Sequence, residues 1–164
     1  MRTNEIALWW RAACLAAAMT GIASAQPGPD RVSSIERAAA EIAAIQAKSG
    51  SDGAFAAIDE CYKREIIWAK SLTRELETCV VQDIIVSKVT AAFYARLSPE
   101  GRKMGGGEEP KVVLERMAQR VTSIFARFKI PQDEARAFNQ VVETKGMEAY
   151  GRARFPGQFP EKKN

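Results

Sequence analysis

The sequence predicts an all-α fold, a small bundle of about five helices built on a helical hairpin that a disulfide pins. Three observations lead to this prediction. Apolar residues recur at helical spacing, and no segment shows the period-two alternation of a half-buried strand. Residues 54–97 contain neither proline nor glycine. That uninterrupted stretch holds a pair of cysteines, Cys61 and Cys79.

The two cysteines distinguish a hairpin from one long helix. A single helix would hold them roughly 27 Å apart, at about 1.5 Å per residue, whereas a disulfide requires Cα atoms within about 7 Å. A turn near residues 69–73 brings Cys61 and Cys79 level and lets them pair. Trp68, close to that turn, is expected to give blue-shifted emission. The alternative, one helix with two reduced thiols, stays open at this point.

Residues 1–25 have the features of a secretory signal peptide. Arg2 and Arg11 flank an apolar region, and the run Ala12–Met19 is too short to span a bilayer. Ala23-Ser24-Ala25 fits the small-x-small cleavage rule. We therefore expect cleavage near Ala25 and a periplasmic or secreted protein, a compartment in which disulfides persist.

The remaining chain is predicted to be a single helical domain at 26–155 with a flexible tail at 156–164. The domain is long enough to bury a hydrophobic core without help. The formal net charge of the whole chain is +4, and its charges are interspersed. This mild balance does not indicate nucleic-acid binding, which usually shows a concentrated basic face.

Capping and breaking residues predict the helix boundaries. Ser33 and Glu36 form a capping box at the start of the first helix. Ser49–Gly53 is expected to end that helix and to offer Asp52 as the next cap. Gly146 is a predicted C-cap. The predicted helices cover about 33–48, 53–69, 73–97, 110–129, the stretch after Pro131 to Lys145, and a short segment at 147–154.

Residues 98–110 are predicted to form the one long loop. Ser98-Pro99-Glu100 can start a helical turn, but the triple glycine 105–107 is typical of a hinge or a flexible tether. We expect this glycine run to be the preferred site of protease cleavage, because such cleavage concentrates at flexible loop tips.

The predicted helix at 73–97 is nearly apolar all round between Cys79 and Val89, which is typical of a central buried helix. Ile85 is a predicted core residue in it. Gln82 and Asp83 are the polar exceptions and possible buried polar residues. A buried carboxylate needs a partner, so we interpret Asp83 as a structural ion pair or an exposed edge. A functional carboxylate is the alternative.

The composition removes several kinds of chemistry. The chain has no histidine, which excludes Ser-His-Asp and Cys-His catalysis and imidazole metal sites. Two cysteines do not make a usual zinc site, and no phosphate-loop motif follows the triple glycine. We predict no catalytic, cofactor-binding or metal-binding residue. The acidic pairs Glu108-Glu109 and Asp133-Glu134 stand at predicted helix N-termini, where acidic residues are expected for dipole reasons.

Three functions are considered. The first is an exported helical binding protein whose partner is a protein or a cell-envelope component, with no nucleic acid and no stable membrane insertion after cleavage. The second comes from residues 97–101, Leu-Ser-Pro-Glu-Gly, which partly resemble the Leu-Thr-x-x-Gln motif of small periplasmic helical stress chaperones. Ser98 replaces the threonine and Gly101 stands at the glutamine position. The third is a carboxylate-based hydrolase. The sequence does not determine the partner or the oligomeric state.

Overall fold

The computed structural model describes residues 28–158. These residues form α1 (Pro29–Ile66), α2 (Arg74–Tyr94), α3 (Pro99–Met104), α4 (Pro110–Arg127), α5 (Gln132–Val141) and α6 (Met147–Arg154), and a π-helical turn, Val142–Gly146, joins α5 to α6. This part of the chain contains no strand. The predicted all-α fold is confirmed, with five segments when α5, the π-helical turn and α6 count as one rod. The predicted signal peptide and residues 159–164 of the predicted tail lie outside the described residues.

Helices α1 and α2 form the predicted hairpin. Cys61 and Cys79 are joined by a disulfide, with their Cα atoms 5.7 Å apart. The side-chain oxygen of Thr73 accepts a hydrogen bond from the backbone N–H of Leu76 at 3.2 Å, so Thr73 caps α2. The alternative of a single helix through both cysteines is therefore wrong.

The expectation of blue-shifted Trp68 emission does not agree with the structure. Trp68 lies in the turn after α1 with 83% of its surface exposed. The turn leaves this side chain outside the hydrophobic core, in which Leu76 of α2 is fully buried. A water-exposed indole is expected to emit at longer wavelength.

The predicted start of the first helix is wrong, whereas a break lies at its predicted end. The helix begins at Pro29, whose missing N–H costs nothing in a first turn. Ser33 lies inside the helix and donates to the carbonyl oxygen of Pro29 at 3.1 Å, so no capping box forms. The break predicted at Ser49–Gly53 is present, because Gly50 leaves the helical region with φ 68° and ψ −172° and divides α1 into two helical halves. Glycine adopts this φ without steric cost, and the result is a kink.

A cluster of polar side chains beside the kink at Gly50 connects α1 to α2 and α6. The amide nitrogen of Gln46 donates to the Ser51 hydroxyl at 3.1 Å, and Thr90 of α2 donates to the same hydroxyl at 3.3 Å. Tyr150 of α6 donates to the side-chain oxygen of Gln46 at 2.5 Å. The two helical halves of α1 are thereby both tied to the bundle on either side of Gly50.

Helix α2 is the centre of the bundle, as predicted. Leu76 and Ile85 are each 0% exposed. Gly146 packs against this centre: a Cβ atom on it would lie 3.3 Å from side-chain atoms of both Ile35 and Ile85. Gly146 is therefore not a C-cap. It has helical dihedrals, φ −63° and ψ −48°, and its lack of a side chain lets the rod approach α1 and α2 closely.

The stretch 98–110 contains α3 rather than an uninterrupted loop. Ser98 caps α3 by accepting from the N–H of Gly101 at 3.1 Å, which confirms the predicted helical turn. Arg102 donates to the carbonyl oxygen of Leu97 at 2.9 Å and to a carboxylate oxygen of Glu109 at 2.7 Å. One guanidinium thus links the end of α2 to the start of α4.

Within residues 28–158, every helix is either too short or too polar to cross a lipid bilayer.

Candidate functional site

A groove runs between the second half of α1 and helix α4. The backbone of α4 packs closely on α2 and leaves space on its α1 side. This space is a cavity of about 550 Å³, and a hollow of about 330 Å³ continues it towards the start of α4. Asp59 and Arg120 line both parts, so we treat them as one site and call it the α1–α4 groove.

Helical spacing places the lining residues on facing sides. Residues three or four positions apart share one face of a helix. On α1 the lining residues are Asp52, Phe55, Asp59, Tyr62, Lys63 and Ile66, and on α4 they are Val113, Arg116, Gln119, Arg120, Ser123, Ile124 and Arg127. Each wall therefore combines apolar side chains with charged ones.

A buried ion pair forms the floor of the groove. Asp83 of α2 is 0% exposed. The Arg120 guanidinium donates to both of its carboxylate oxygens, at 2.8 Å from Nε and 2.6 Å from Nη2. Tyr62 and Ser87 donate to the same carboxylate at 3.2 and 3.1 Å. A charge-assisted bidentate pair of this kind fixes orientation as well as distance, and it joins α1, α2 and α4.

Of the two polar residues predicted on α2, Asp83 is therefore at the site. Its arrangement agrees with the interpretation as a structural ion pair and not with an exposed edge. Gln82 is also buried, with 7% of its surface exposed. Neither Gln82 nor Asp83 lines the groove, and Asp83 is connected to it through Arg120 and Tyr62, which do.

The surroundings of Tyr62 and Arg120 raise the pKa of both side chains. Burial raises the pKa of Tyr62 far above its usual range, and the neighbouring Asp83 charge raises it further. Tyr62 is thus a neutral hydrogen-bond donor at neutral pH. The hydrogen bond to Asp83 raises the pKa of Arg120, which stays a cation.

The charges at the rim differ between the two ends of the groove. Lys63 and Arg127 lie at the end near the α1–α2 turn, where Arg127 donates to the carbonyl oxygen of Ile66 at 3.2 Å. Asp52 and Glu108 lie at the other end, where Glu108 pairs with Arg116 at 2.7 Å. The groove is therefore basic at one end and more acidic at the other.

In each of the two acidic pairs noted in the sequence, at least one glutamate forms an ion pair with an arginine. Glu109 pairs with Arg102 at 2.7 Å, and Glu134 pairs with Arg31 at 3.2 Å. No cluster of three or more histidine, cysteine, aspartate or glutamate side chains suited to a metal ion occurs among residues 28–158. The predicted positions of both pairs, around the first turns of α4 and α5, are confirmed.

The groove itself was not predicted from the sequence. The spacing of Tyr62 and Ile66 on one helix and of Arg120 and Arg127 on another was available as a signal. That spacing does not tell which helices are neighbours, so the site could not be assembled from it.

Comparison of the chain with protein-family models, with curated proteins and with solved structures finds no match. The functional assignment therefore depends on the geometry of the groove and on the features of the sequence.

Proposed function

We propose that this protein is an exported helical binding protein of a bacterial envelope and that it holds a segment of a partner protein in the α1–α4 groove. The observation that carries this proposal is the groove itself, open between two helices and anchored at its floor by Asp83 and Arg120. Grooves between helices with apolar walls and a few fixed polar groups are typical binding sites.

Two features support export. The predicted signal peptide at 1–25 supplies a route out of the cytoplasm. The Cys61–Cys79 disulfide is of a kind that persists in oxidising compartments and is rare in cytosolic proteins. Intact mass of the exported protein is expected to correspond to a chain that begins at Gln26. An exported chain that retains residues 1–25 would contradict the proposal.

The walls of the groove favour an amphipathic helix as the bound segment. Phe55, Tyr62 and Ile66 present apolar surface at helical spacing, which matches the recurring mode in which a helix lays its apolar face in a groove. The charge difference between the ends sets a direction. Acidic side chains of the partner are expected near Lys63 and Arg127.

Site-specific photo-crosslinking in cells tests this proposal. A photoreactive amino acid at Ser123, which is exposed on the groove side of α4, is expected to capture one discrete partner. The matched control is the same amino acid at Ala118, which is exposed on the same helix but does not line the groove.

The captured segment must then depend on the groove. Charge reversal by Arg127→Glu is expected to reduce the Ser123 adduct severalfold, because one rim cation is lost and an anion faces the acidic end of the partner. Equal adducts from positions 123 and 118, or no adduct from position 123, would contradict the proposal.

A periplasmic chaperone is the second candidate. Exposed large apolar side chains favour it, among them Phe93 at 56%, Met104 at 86% and Phe155 at 44% exposed. A chaperone of this kind is expected to suppress the aggregation of unrelated unfolded proteins at near-stoichiometric ratio. If the purified protein does not suppress aggregation, the chaperone function is excluded and groove binding stays the proposed function.

A further inference from the structure

The turn between α1 and α2 presents two adjacent apolar side chains to solvent. Ile67 is 63% exposed and Trp68 is 83% exposed. A tryptophan usually buries about 150–250 Å² of surface in a core or an interface. The fold does not use this surface for its own packing. We call Ile67 and Trp68 the hairpin tip.

The backbone on both sides of the tip is held in place. The disulfide closes the hairpin behind it, with Cα atoms 5.7 Å apart. Thr73 caps α2 on one side, and on the other Arg127 of α4 donates to the carbonyl oxygen of Ile66 at 3.2 Å. The tip is therefore a protrusion on a fixed base.

The chain on either side of the tip is rich in basic residues. Residues 63–74 contain four basic side chains and one acidic side chain. Lys63 and Arg64 pair with neighbouring glutamates, at 2.7 and 2.6 Å. Lys70 and Arg74 are exposed and have no such partner within the described residues.

We propose that the hairpin tip docks the protein on an anionic lipid surface. Trp68 and Ile67 enter the boundary between headgroups and acyl chains, where tryptophan is favoured because its ring is amphipathic. Lys70 and Arg74 lie against the anionic headgroups, which attract basic residues near the surface. The attachment is peripheral and reversible, because two side chains supply little apolar area.

A lipid surface fits the tip better than a protein partner does. A stable protein–protein interface buries roughly 800 Å² on each side. Two neighbouring side chains at a turn offer only a fraction of that area. A bilayer requires no complementary shape, and a small apolar tip with two exposed cations close to it in the chain is enough for reversible attachment. The proposal does not depend on what the α1–α4 groove binds.

Vesicle binding with tryptophan emission as the readout tests the proposal. A chain that begins at Gln26 contains the whole described fold and keeps Trp68 as its one tryptophan. Vesicles of phosphatidylglycerol and phosphatidylcholine are expected to shift its emission to the blue, and pure phosphatidylcholine vesicles much less. Raising the salt concentration is expected to weaken binding, because it screens the headgroup attraction.

Variants measured by vesicle co-sedimentation separate the two parts of the tip. Trp68→Ser is expected to weaken binding roughly tenfold, the loss expected when one large apolar side chain no longer leaves water. Lys70→Glu is expected to weaken binding severalfold to anionic vesicles alone. Neither change is expected to lower stability, because both side chains are exposed.

The opposite end of α2 provides matched controls. Phe93 is 56% exposed near that end, roughly 30 Å from Thr73 at about 1.5 Å per residue. Phe93→Ser, and Lys111→Glu at the start of α4, are expected to change vesicle binding less than twofold. Phe93→Ser removes an exposed aromatic side chain, as Trp68→Ser does, and Lys111→Glu reverses a charge, as Lys70→Glu does. Both controls lie away from the tip.

Three results would overturn the proposal. The first is Trp68 emission that stays at its value in water with anionic vesicles at low salt. The second is binding by Trp68→Ser that equals that of the unchanged protein. The third is a blue shift seen with a captured protein partner but with no vesicle, which would assign the tip to a protein interface.

Discussion

Helices α2 and α4 lie side by side in one bundle but are held in different ways. Helix α2 is buried on nearly every side and is bonded through Cys79 to α1. Helix α4 buries one face, chiefly Val121, Ile124 and Phe125, and its other sides remain exposed. The difference separates two roles. The hairpin contains most of the buried core, whereas α4 supplies one wall of the α1–α4 groove.

Helix α4 packs on α2 along one face and is fixed there by two specific contacts. Arg120 reaches the buried Asp83, and Phe125 meets Phe138 of α5 edge to face, with ring centroids 5.8 Å apart. Such a helix keeps its place through a few anchors and leaves its flanks free. Changes in α2 should therefore affect the whole fold, whereas changes in α4 should act mainly through these anchors.

The largest expected effect comes from the core of α2. Ile85→Ala should lower the free energy of unfolding by about 2–5 kcal/mol, because the site is fully buried and the removed atoms leave a cavity. Urea unfolding followed by circular dichroism measures this loss. Leu114→Ala on α4, where Leu114 is 37% exposed, is the control and should cost less than about 0.5 kcal/mol.

The next effect concerns the main anchor of α4. Arg120→Ala should cost about 3 kcal/mol, because it leaves the fully buried Asp83 carboxylate without its cation. Arg116→Ala is the matched control on the same helix, since its ion pair with Glu108 is half-exposed, and it should cost less than about 1 kcal/mol. Equal losses in urea unfolding would mean that Asp83 does not anchor α4.

Reduction of the disulfide tests the hairpin without changing α4. The bond joins residues 18 positions apart, and the chain-entropy estimate for such a loop is about 3 kcal/mol. The reduced protein should keep its helical circular dichroism and melt at a lower temperature. Loss of all helical signal on reduction would show that the bundle cannot form without the bond.

Alkaline pH should weaken the floor of the groove through Tyr62. Its pKa is raised in the folded state, so its contribution is fully present below about pH 10 and is lost as the pH rises further. The expected slope is about 1.4 kcal/mol per pH unit. Tyr62→Phe should be about 1 kcal/mol less stable at pH 9, since one hydrogen bond is lost. The difference in stability between Tyr62→Phe and the unchanged protein should disappear towards pH 11. A difference that does not change with pH would contradict the hydrogen bond from Tyr62 to Asp83.

The smallest effect compares two glycines. Gly50 in the kink of α1 has φ 68°, and Gly106 before α4 has φ 67°, both in open space. Gly50→Ala should cost about 1 kcal/mol, because an alanine is strained in this left-handed conformation. Gly106→Ala should cost less stability, because the short segment that joins α3 to α4 can rearrange. Equal losses of stability in the two variants would show that the segment before α4 is as rigid as the hairpin.

The hairpin was predictable because its causes are local. Two cysteines, an uninterrupted helical pattern and the capping threonine at position 73 all lie within residues 54–97. The break predicted at Ser49–Gly53 has a local cause too, and Gly50 does break the helix there. The predicted cap at Ser33 was wrong. Pro29 starts the helix earlier, and contacts from Thr90 and Tyr150, far along the chain, hold the kink against the bundle.

The sequence by itself determined the helical class, the disulfide, the central position of α2 and the need of Asp83 for a partner. These follow from periodicity and from the cost of burying a charge, which depend on residue type and spacing. Only the tertiary structure decided that Arg120 is that partner, that α4 leaves a groove beside α1 and that Trp68 faces solvent. Each of these depends on which helices become neighbours, and neighbours are chosen by the packing of the whole core.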